Sequence, residues 1–273
     1  MIDTHAHLNF SAYRDDVDEV IKRTLDNNVW MINVGSQYST SKRAVEIAEK
    51  HKKGVYAAVG LHPIHLSSGI FKTKIDKEEV EFETREEEFN YGKYKDLTKS
   101  EKVVAIGEVG LDYWYRPKTK TKLEQFKNKQ KEVFLKQFNL AKELGLPVIF
   151  HCRMAHQDLI ENLDTETRGV VHCFSGNWDE AQKYLEMGLY LGFNGIIFKL
   201  DLDGVITKTP LDRILIETDC PYLTPPPAEG RNEPLYVKYV VEKIAKIKKL
   251  SYQEISDITT KNAIKLFDLH ERI

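Results

Sequence analysis

Short apolar segments alternate with longer amphipathic segments along most of this 273-residue chain. Several of the short segments, such as residues 147–150, are almost continuously apolar, which is typical of parallel strands covered by helices on both faces. This alternation predicts repeated strand–helix units rather than a sandwich or a helical bundle. The eight apolar runs cover residues 1–4, 30–34, 55–59, 103–107, 147–150, 169–171, 189–193 and 214–216.

Amphipathic patterns with helical spacing lie between most of these runs. They cover residues 15–27, 41–51, 122–144, 179–187 and 235–248. Eight strands in a chain near the roughly 250 residues typical of the fold predict an α/β structure, a single (β/α)8 barrel of the TIM type. An open doubly wound sheet is the alternative, but no GxGxxG follows the first strand. No repeat or linker divides the chain, so we expect one domain over residues 1–273.

The region from about 71 to 101 departs from this rhythm, because it is rich in Lys and Glu and has few apolar positions. We interpret it as an exposed elaboration of the barrel domain. Its acidic part, residues 78–88, is predicted to form a solvated surface helix.

The composition is that of a globular protein, with 41% hydrophobic and 30% charged residues. No apolar run of about 18 residues is present, so we expect no membrane span. The first twenty residues carry too many charges for a secretory signal. The three cysteines, Cys152, Cys173 and Cys220, form no CxxC pair, which fits reduced thiols and a cytoplasmic setting.

The formal net charge of -2 gives no overall attraction to nucleic acid. A polyanion would therefore be held by local basic groups or by bound cations. The basic run at residues 116–122 is either a solvated loop or a contact to a phosphate backbone. Tyr113, Trp114 and Tyr115 either pack at the rim of the core or stack on bases.

The first strand ends in Asp-Thr-His-Ala-His, so His5 and His7 project to the same side. Neutral imidazoles suit zinc and other first-row divalent ions. The pair therefore indicates a metal clamp, although half-buried histidines without a metal are an alternative.

Other ligand-type residues follow other predicted strands, namely Glu108, His151, His172 and Asp219. A barrel builds its active site from the C-terminal ends of its strands. Each residue alone has an ordinary explanation as a helix cap or a core histidine. Together they favour a metal site, because burying several uncompensated ionisable groups in one place is costly.

We expect two divalent metal ions, which could be Mg, Mn or Zn. His5, His7 and Asp219 would hold one ion, His151 and His172 the second, and Glu108 would bridge both. Two cations about 3.5–4 Å apart can activate water and stabilise the oxygens of an in-line displacement. Because strand side chains alternate, Cys152 and Cys173 are expected to face the helices rather than the site.

Four residues near these ligands are candidates for substrate binding. Arg153 lies two positions after His151, and its guanidinium suits phosphate. Ser175 lies in a turn before a predicted helix, whose N-terminus favours phosphate oxygens. His62 and His65 follow the third strand and either face the cleft or support the fold.

Seven motifs from Ile2 to Pro234 resemble, in order, those of the TatD family of metal-dependent deoxyribonucleases. They are IDTHAHL, VGLHP, GEVGLD, IFHCR, VHCFSG, ETDCPYL and GRNEP. The resemblance implies an amidohydrolase-like barrel and hydrolysis of DNA phosphodiesters, often as a 3′→5′ exonuclease. It places the family's ligands on the six residues proposed above, with Glu108 and Asp219 as catalytic residues and Asp219 as either the base or a carboxylate that orients water. Residues 231–233 would close the loop after the eighth strand.

The favoured function is thus a deoxyribonuclease acting on single-stranded DNA or 3′ ends, with no membrane and no obligate protein partner. A second hypothesis keeps the metals but hydrolyses a small amide, lactone or ester, or D-aminoacyl-tRNA. Many amidohydrolases bridge their metals with a carboxylated lysine, whereas Glu108 takes that strand here. A third hypothesis is a metal-stabilised interaction module without catalysis.

Overall fold

A computed structural model describes residues 1–67, 69–75, 78–84, 86–164 and 166–269 of the chain. Eight strands form one sheet in the order β1-β2-β3-β6-β7-β8-β9-β10, and β4 and β5 form a separate two-stranded sheet. The strands are β1 (Ile2–Ala6), β2 (Trp30–Val34), β3 (Val55–Val59), β4 (Gly69–Ile75), β5 (Glu78–Thr84), β6 (Val103–Asp112), β7 (Val148–Arg153), β8 (Gly169–Val171), β9 (Tyr190–Phe193) and β10 (Ile214–Ile216).

The eight-stranded sheet curls into a nearly closed barrel. Its neighbouring strands pair in parallel, and its two edges meet where Ala6 bridges Cys220. The backbone N–H of Asp219 donates to the His5 carbonyl at 2.8 Å across the same seam. The prediction of a (β/α)8 barrel is therefore confirmed, and the open doubly wound sheet is excluded.

The helices alternate with the barrel strands and cover the outside of the barrel. They are α1 (Val17–Asp26), α2 (Tyr38–Glu49), α3 (Tyr91–Leu97), α4 (Lys120–Leu144), α5 (His156–Ile160), α6 (Trp178–Glu186), α7 (Asp203–Lys208), α8 (Val237–Lys248) and α9 (Tyr252–Phe267). Among the described residues, no helix combines the length and the apolar character needed to cross a membrane.

Alternating strand residues divide the core into two hydrophobic clusters. On β2, Met31 belongs to the cluster that includes residues of the outer helices, whereas Ile32 and Val34 belong to the second cluster. The C-terminal part of α9 packs Leu266 and Phe267 against this second cluster. The polar residues at the strand ends lie outside both clusters.

All eight apolar runs coincide with barrel strands, and the five amphipathic patterns coincide with α1, α2, α4, α6 and α8. The sequence analysis missed α3, α5 and α7, which are only five to seven residues long. It also missed α9, whose capping box of Ser251 and Glu254 marks its start.

The predicted surface helix at residues 78–88 is wrong, because Glu78–Thr84 is a strand paired antiparallel with β4. Its sequence alternates acidic residues with Val80 and Phe82, and this period of two favours a strand. The side-chain exposure predicted for residues 71–85 is outside what the structure describes, which within this range is the backbone of residues 71–75 and 78–84 alone. The later part is not a purely exposed elaboration, since Phe89 and Tyr94 are buried in the core.

Candidate metal centre

The histidine pair of the first strand forms one corner of the centre. His5 lies in β1 and His7 follows its last residue, and their Nε2 atoms lie 3.1 Å apart. The Nδ1 atom of His7 is 2.8 Å from the Val34 carbonyl. A carbonyl only accepts, so Nδ1 carries the proton and Nε2 presents its lone pair to the centre.

Asp219 completes this corner from the other side of the barrel seam. Its Oδ1 atom lies 3.3 Å from His7 Nε2 and 3.8 Å from His5 Nε2. The residue has a left-handed φ of 58°, a conformation that Asp adopts more readily than most residues. The turn after β10 thus brings the carboxylate to the histidines.

Glu108 lies between the two halves of the centre. The pairing of β6 with β7 shifts register between Gly107 and Val109, and such an irregularity re-aims the side chain within it. Its Oε2 atom is 3.6 Å from His5 Nε2, whereas Oε1 is 2.6 Å from His151 Nδ1 and 3.3 Å from His172 Nε2. Each carboxylate oxygen therefore faces a different group of histidines.

The donor atoms fall into two groups with spacing suited to a cation. His5, His7 and Asp219 form one group, and Glu108, His151 and His172 form the other, with atoms within 4.8 Å of one another in each. Two ligands bound tetrahedrally at about 2.0–2.2 Å from an ion are about 3.3–3.6 Å apart. The distances of 3.1–3.8 Å in the first group fit this geometry closely.

The buried carboxylates of the centre favour the binding of a positively charged group. Burial alone would raise the pKa of Glu108, but His62, His172 and His151 hold this pKa well below its usual range. Burial alone would lower the pKa of His151, but Glu108 and Asp112 raise it to about 9. The carboxylates thus stay ionised and attract a cation, whether a proton or a metal ion.

Two buried carboxylates that the sequence analysis missed contact His151 and His172 on the ring nitrogens that do not face Glu108. Asp112 Oδ2 lies 3.1 Å from His151 Nε2, and Glu217 Oε1 lies 3.0 Å from His172 Nδ1. Both stand in the quoted motifs GEVGLD and ETDCPYL, which was the available signal. A motif alone does not show that two of its carboxylates, rather than one, turn toward the histidines.

The two histidines after β3 take different positions. His62 joins the centre, with Nε2 at 3.6 Å from Glu108 Oε1, and its Nδ1 accepts a hydrogen bond from Ile64 N–H. Burial lowers the pKa of His62 to about 3, so its ring is neutral with the proton on Nε2. His65 lies in the following turn, and burial lowers its pKa to about 4. Within the described part of the chain, His65 is linked to the six clustered residues only through the charge of Glu108, which opposes this lowering.

Arg153 and Ser175, the other two residues predicted to bind substrate, have different surroundings. The Arg153 guanidinium stacks on the Trp114 ring, 4.3 Å from its centroid. Ser175 is exposed, and the α6 N-terminus after it is capped reciprocally by Asn177 and Glu180. The Glu180 carboxylate already accepts a hydrogen bond from the Asn177 N–H at that N-terminus. Binding of phosphate beside Ser175 therefore stays a prediction.

The expected orientation of the cysteines holds for Cys152 but not for Cys173. Cys152 is buried beside the Tyr184 hydroxyl, within the core. Cys173 has a left-handed φ of 46°, which breaks the alternation after β8. Its sulfur therefore lies in a group with His172 and Asp219 instead of facing the helices.

The residues of the GRNEP motif close the loop after β10. Arg231 pairs with Asp16, and Glu233 pairs with Arg23 of α1. The Asn232 side chain donates to the Thr218 carbonyl at 3.0 Å. The motif thus fixes the segment that carries Asp219, as the family resemblance implied.

A parallel barrel with histidines and carboxylates clustered at the C-terminal ends of its strands is an arrangement typical of metal-dependent hydrolases. A family model described as "TatD related DNase" matches residues 2–268. The chain therefore belongs to the TatD family and is a metal-dependent hydrolase.

Individual relatives cover nearly the whole chain. A Bacillus subtilis protein named "Uncharacterized metal-dependent hydrolase YabD" is 41% identical over 99% of this chain and 100% of its own length. A Yersinia pseudotuberculosis protein named "3'-5' ssDNA/RNA exonuclease TatD" is 31% identical over 98% of this chain and 100% of its own. The crystal structure of YjjV, a TatD homologue from Escherichia coli, superposes with a TM-score of 0.80 at 27% identity and covers 98% of each chain.

Proposed function

We propose that this protein is a deoxyribonuclease that releases nucleotides from the 3′ end of single-stranded DNA. The observation that carries the proposal is the position of Glu108, whose two oxygens face two separate groups of nitrogen and oxygen donors. Such a bridge suits a pair of divalent ions. The name of the Yersinia relative, a 3'-5' ssDNA/RNA exonuclease, supports the choice of substrate.

The proposed metal ligands are His5, His7 and Asp219 for one ion and His151 and His172 for the other, with Glu108 shared. When bound, Mg, Mn or Zn would lower the pKa of a water molecule and stabilise charge on the phosphoryl oxygens. These residues supply the donors without requiring a change in the fold, because their ligand atoms already converge.

The remaining groups of the centre would move the proton and hold the phosphate. The histidines hold the pKa of Asp219 below its usual range despite its burial, so its carboxylate is ionised and can accept a proton from the attacking water. The Nε2–H of His62 and the guanidinium of Arg153 would donate to phosphate oxygens. The three free cysteines fit a reducing compartment, and we propose the cytoplasm.

The test is nucleotide release from a 5′-labelled single-stranded oligonucleotide with Mg²⁺, Mn²⁺ or Zn²⁺. The wild type should shorten the strand stepwise from its 3′ end, whereas Glu108→Gln and Asp219→Asn should lose at least about 100-fold in rate. Glu186→Gln, an exposed carboxylate on α6, is the matched control and should retain full activity.

Two results would overturn the proposal. An intact oligonucleotide with all three metals would exclude the nuclease, and a parallel screen of cyclic amides, lactones and D-aminoacyl-tRNA would then identify the acyl substrate. Equal rates for wild type and Glu108→Gln would show that the cleavage comes from another protein in the preparation.

A further inference from the structure

Exposed apolar side chains gather at one place beside the metal centre. The described residues include six exposed large hydrophobic residues, and three of them are Trp114, Tyr115 and Met154, with 53%, 40% and 52% of their surface accessible. Trp114 and Tyr115 lie two and three residues after the end of β6, and Met154 directly follows the neighbouring strand β7. A monomeric protein gains nothing in stability from such exposure, so the patch indicates a binding surface.

Arg153 lies within this patch and has an unusual environment for a guanidinium. It stacks on Trp114 at 4.3 Å and lies 5.9 Å from the Tyr115 ring centroid. Stacking uses the face of the guanidinium and leaves the N–H donors at its edge available. No ion pair or hydrogen bond to its guanidinium is formed within the described ranges, whereas Arg23 and Arg231 are both paired with carboxylates.

Cationic side chains lie close to the patch. Arg116 contacts the Met154 sulfur at 4.0 Å. The exposed Lys118 follows in the loop before α4, and the exposed Lys120 is the first residue of that helix. This arrangement of aromatic faces and cationic groups is the one that proteins use to bind single-stranded nucleic acid. An apolar protein partner would not require the unpaired arginine.

The patch borders the metal centre directly. His151 and Arg153 lie two residues apart on β7 and so share a face, with their Cα atoms about 6–7 Å apart. Asp112 contacts both sites, because its Oδ1 accepts from Trp114 N–H at 2.8 Å and its Oδ2 lies 3.1 Å from His151 Nε2. A nucleotide on the patch would therefore adjoin a phosphate at the centre.

We propose that Trp114, Tyr115 and Met154 form a platform on which an unpaired base of the substrate strand stacks, while the edge of Arg153 holds the phosphate beside that base. The inference rests on the proposed nuclease function and explains a preference for single strands. A base in a duplex is already paired and stacked, so its face is not available to Trp114.

The experiment measures equilibrium binding of a fluorescent single-stranded oligonucleotide with nuclease-resistant phosphorothioate linkages at its 3′ end, in Mg²⁺. Trp114→Ala should weaken binding roughly 10- to 100-fold, and Trp114→Phe should retain most of the affinity. Tyr252→Ala is the control, because Tyr252 is a similarly exposed aromatic residue. It contacts Met1, which precedes β1, and its removal should not change binding. Arg153→Ala should lower the salt dependence of binding by about 0.7 in slope.

An oligonucleotide with abasic sugars in place of its last 3′ bases separates stacking from other effects. The wild type should bind it about as weakly as Trp114→Ala binds the normal strand, and Trp114→Ala should cause no further loss. Equal binding of the normal strand by wild type and Trp114→Ala would overturn the platform, even if nucleotides are released. A Trp114-dependent affinity without release of nucleotides from a normal strand would support the platform and overturn the nuclease function.

Discussion

The Nδ1 atom of His172 lies 3.0 Å from Oε1 of the buried Glu217. The same oxygen accepts hydrogen bonds from the Cys173 backbone N–H and from the Asn194 side chain. The opposite nitrogen of His172, Nε2, faces Glu108. Glu217 thus holds the proton on Nδ1 and leaves Nε2 free to bind a cation, as carboxylates commonly do for metal-binding histidines.

Replacing this carboxylate should weaken metal binding without removing a proposed ligand. Glu217→Gln keeps an oxygen for the His172 proton but loses the negative charge that polarises the ring. We expect about 10- to 100-fold weaker affinity for the ion that His172 is proposed to bind, measured by titration of the metal-free protein against a chelating indicator. Glu186→Gln should bind as the wild type does, and unchanged affinity in Glu217→Gln would contradict the role of Glu217.

The barrel could be predicted because its strands are apolar on both faces and its longer helices are amphipathic. Those patterns depend on burial alone, so they are visible in one sequence. The β4–β5 hairpin was predicted wrongly because acidic residues at alternate positions of Glu78–Thr84 resemble a solvated helix when only charge is considered. Short helices such as α5 have too few residues to show a period.

The six proposed ligands could be placed together because the C-terminal ends of parallel strands meet at one mouth of a barrel. The position of Cys173 could not be predicted, since alternation fails where the backbone turns into a left-handed conformation. The contact of Glu217 with His172 depends on which face β10 presents after Ile216, and a sequence does not give this. The comparisons establish the family, while the role of each ligand stays a prediction.

Gly192 provides the space that Glu217 occupies. A Cβ atom at Gly192 would lie 2.6 Å from Glu217 Oε2, which is closer than such atoms approach each other. Gly192→Ala should therefore displace the carboxylate, costing about 1–3 kcal/mol of unfolding free energy and weakening metal binding as Glu217→Gln does. Chemical denaturation measures the first effect. The control is Gly204→Ala, because a Cβ there meets no atom within 4 Å, and an equal loss in both variants would disprove the crowding argument.

The ion pair between Asp16 and Arg231 should make stability depend on acid pH. Hydrogen bonding to Arg231 lowers the pKa of Asp16 below its usual range. A carboxyl group whose pKa is lower in the folded state stabilises the fold above its unfolded pKa of about 3.9 and loses this effect as pH falls through the folded pKa. Wild type should thus exceed Asp16→Asn in stability by up to about 1 kcal/mol at pH 6.

This difference should shrink toward zero as the pH falls below about 4. Urea denaturation between pH 2.5 and 6 measures it, and moderate salt should reduce it because the pair is partly exposed. Asp26→Asn serves as the control, since the partner of Asp26 among the residues that the structure describes is the exposed Lys22. A difference between wild type and Asp16→Asn that persists unchanged at pH 2.5 would show that it does not arise from ionisation.

Removing the metal should lower stability without unfolding the protein. The two hydrophobic clusters contain none of the six proposed ligands, so the barrel retains its core when the centre is empty. A cation at 100 times its Kd stabilises the folded state by about 2.7 kcal/mol, which corresponds to a rise in melting temperature of roughly 5–10 °C for a chain of this size. Thermal unfolding with EDTA and with added Mn²⁺ or Zn²⁺ measures the shift, and Glu108→Gln should reduce it because the shared ligand loses its charge. Complete unfolding at 25 °C on chelation would instead favour a metal-stabilised module, in which metal binding supplies the folding free energy.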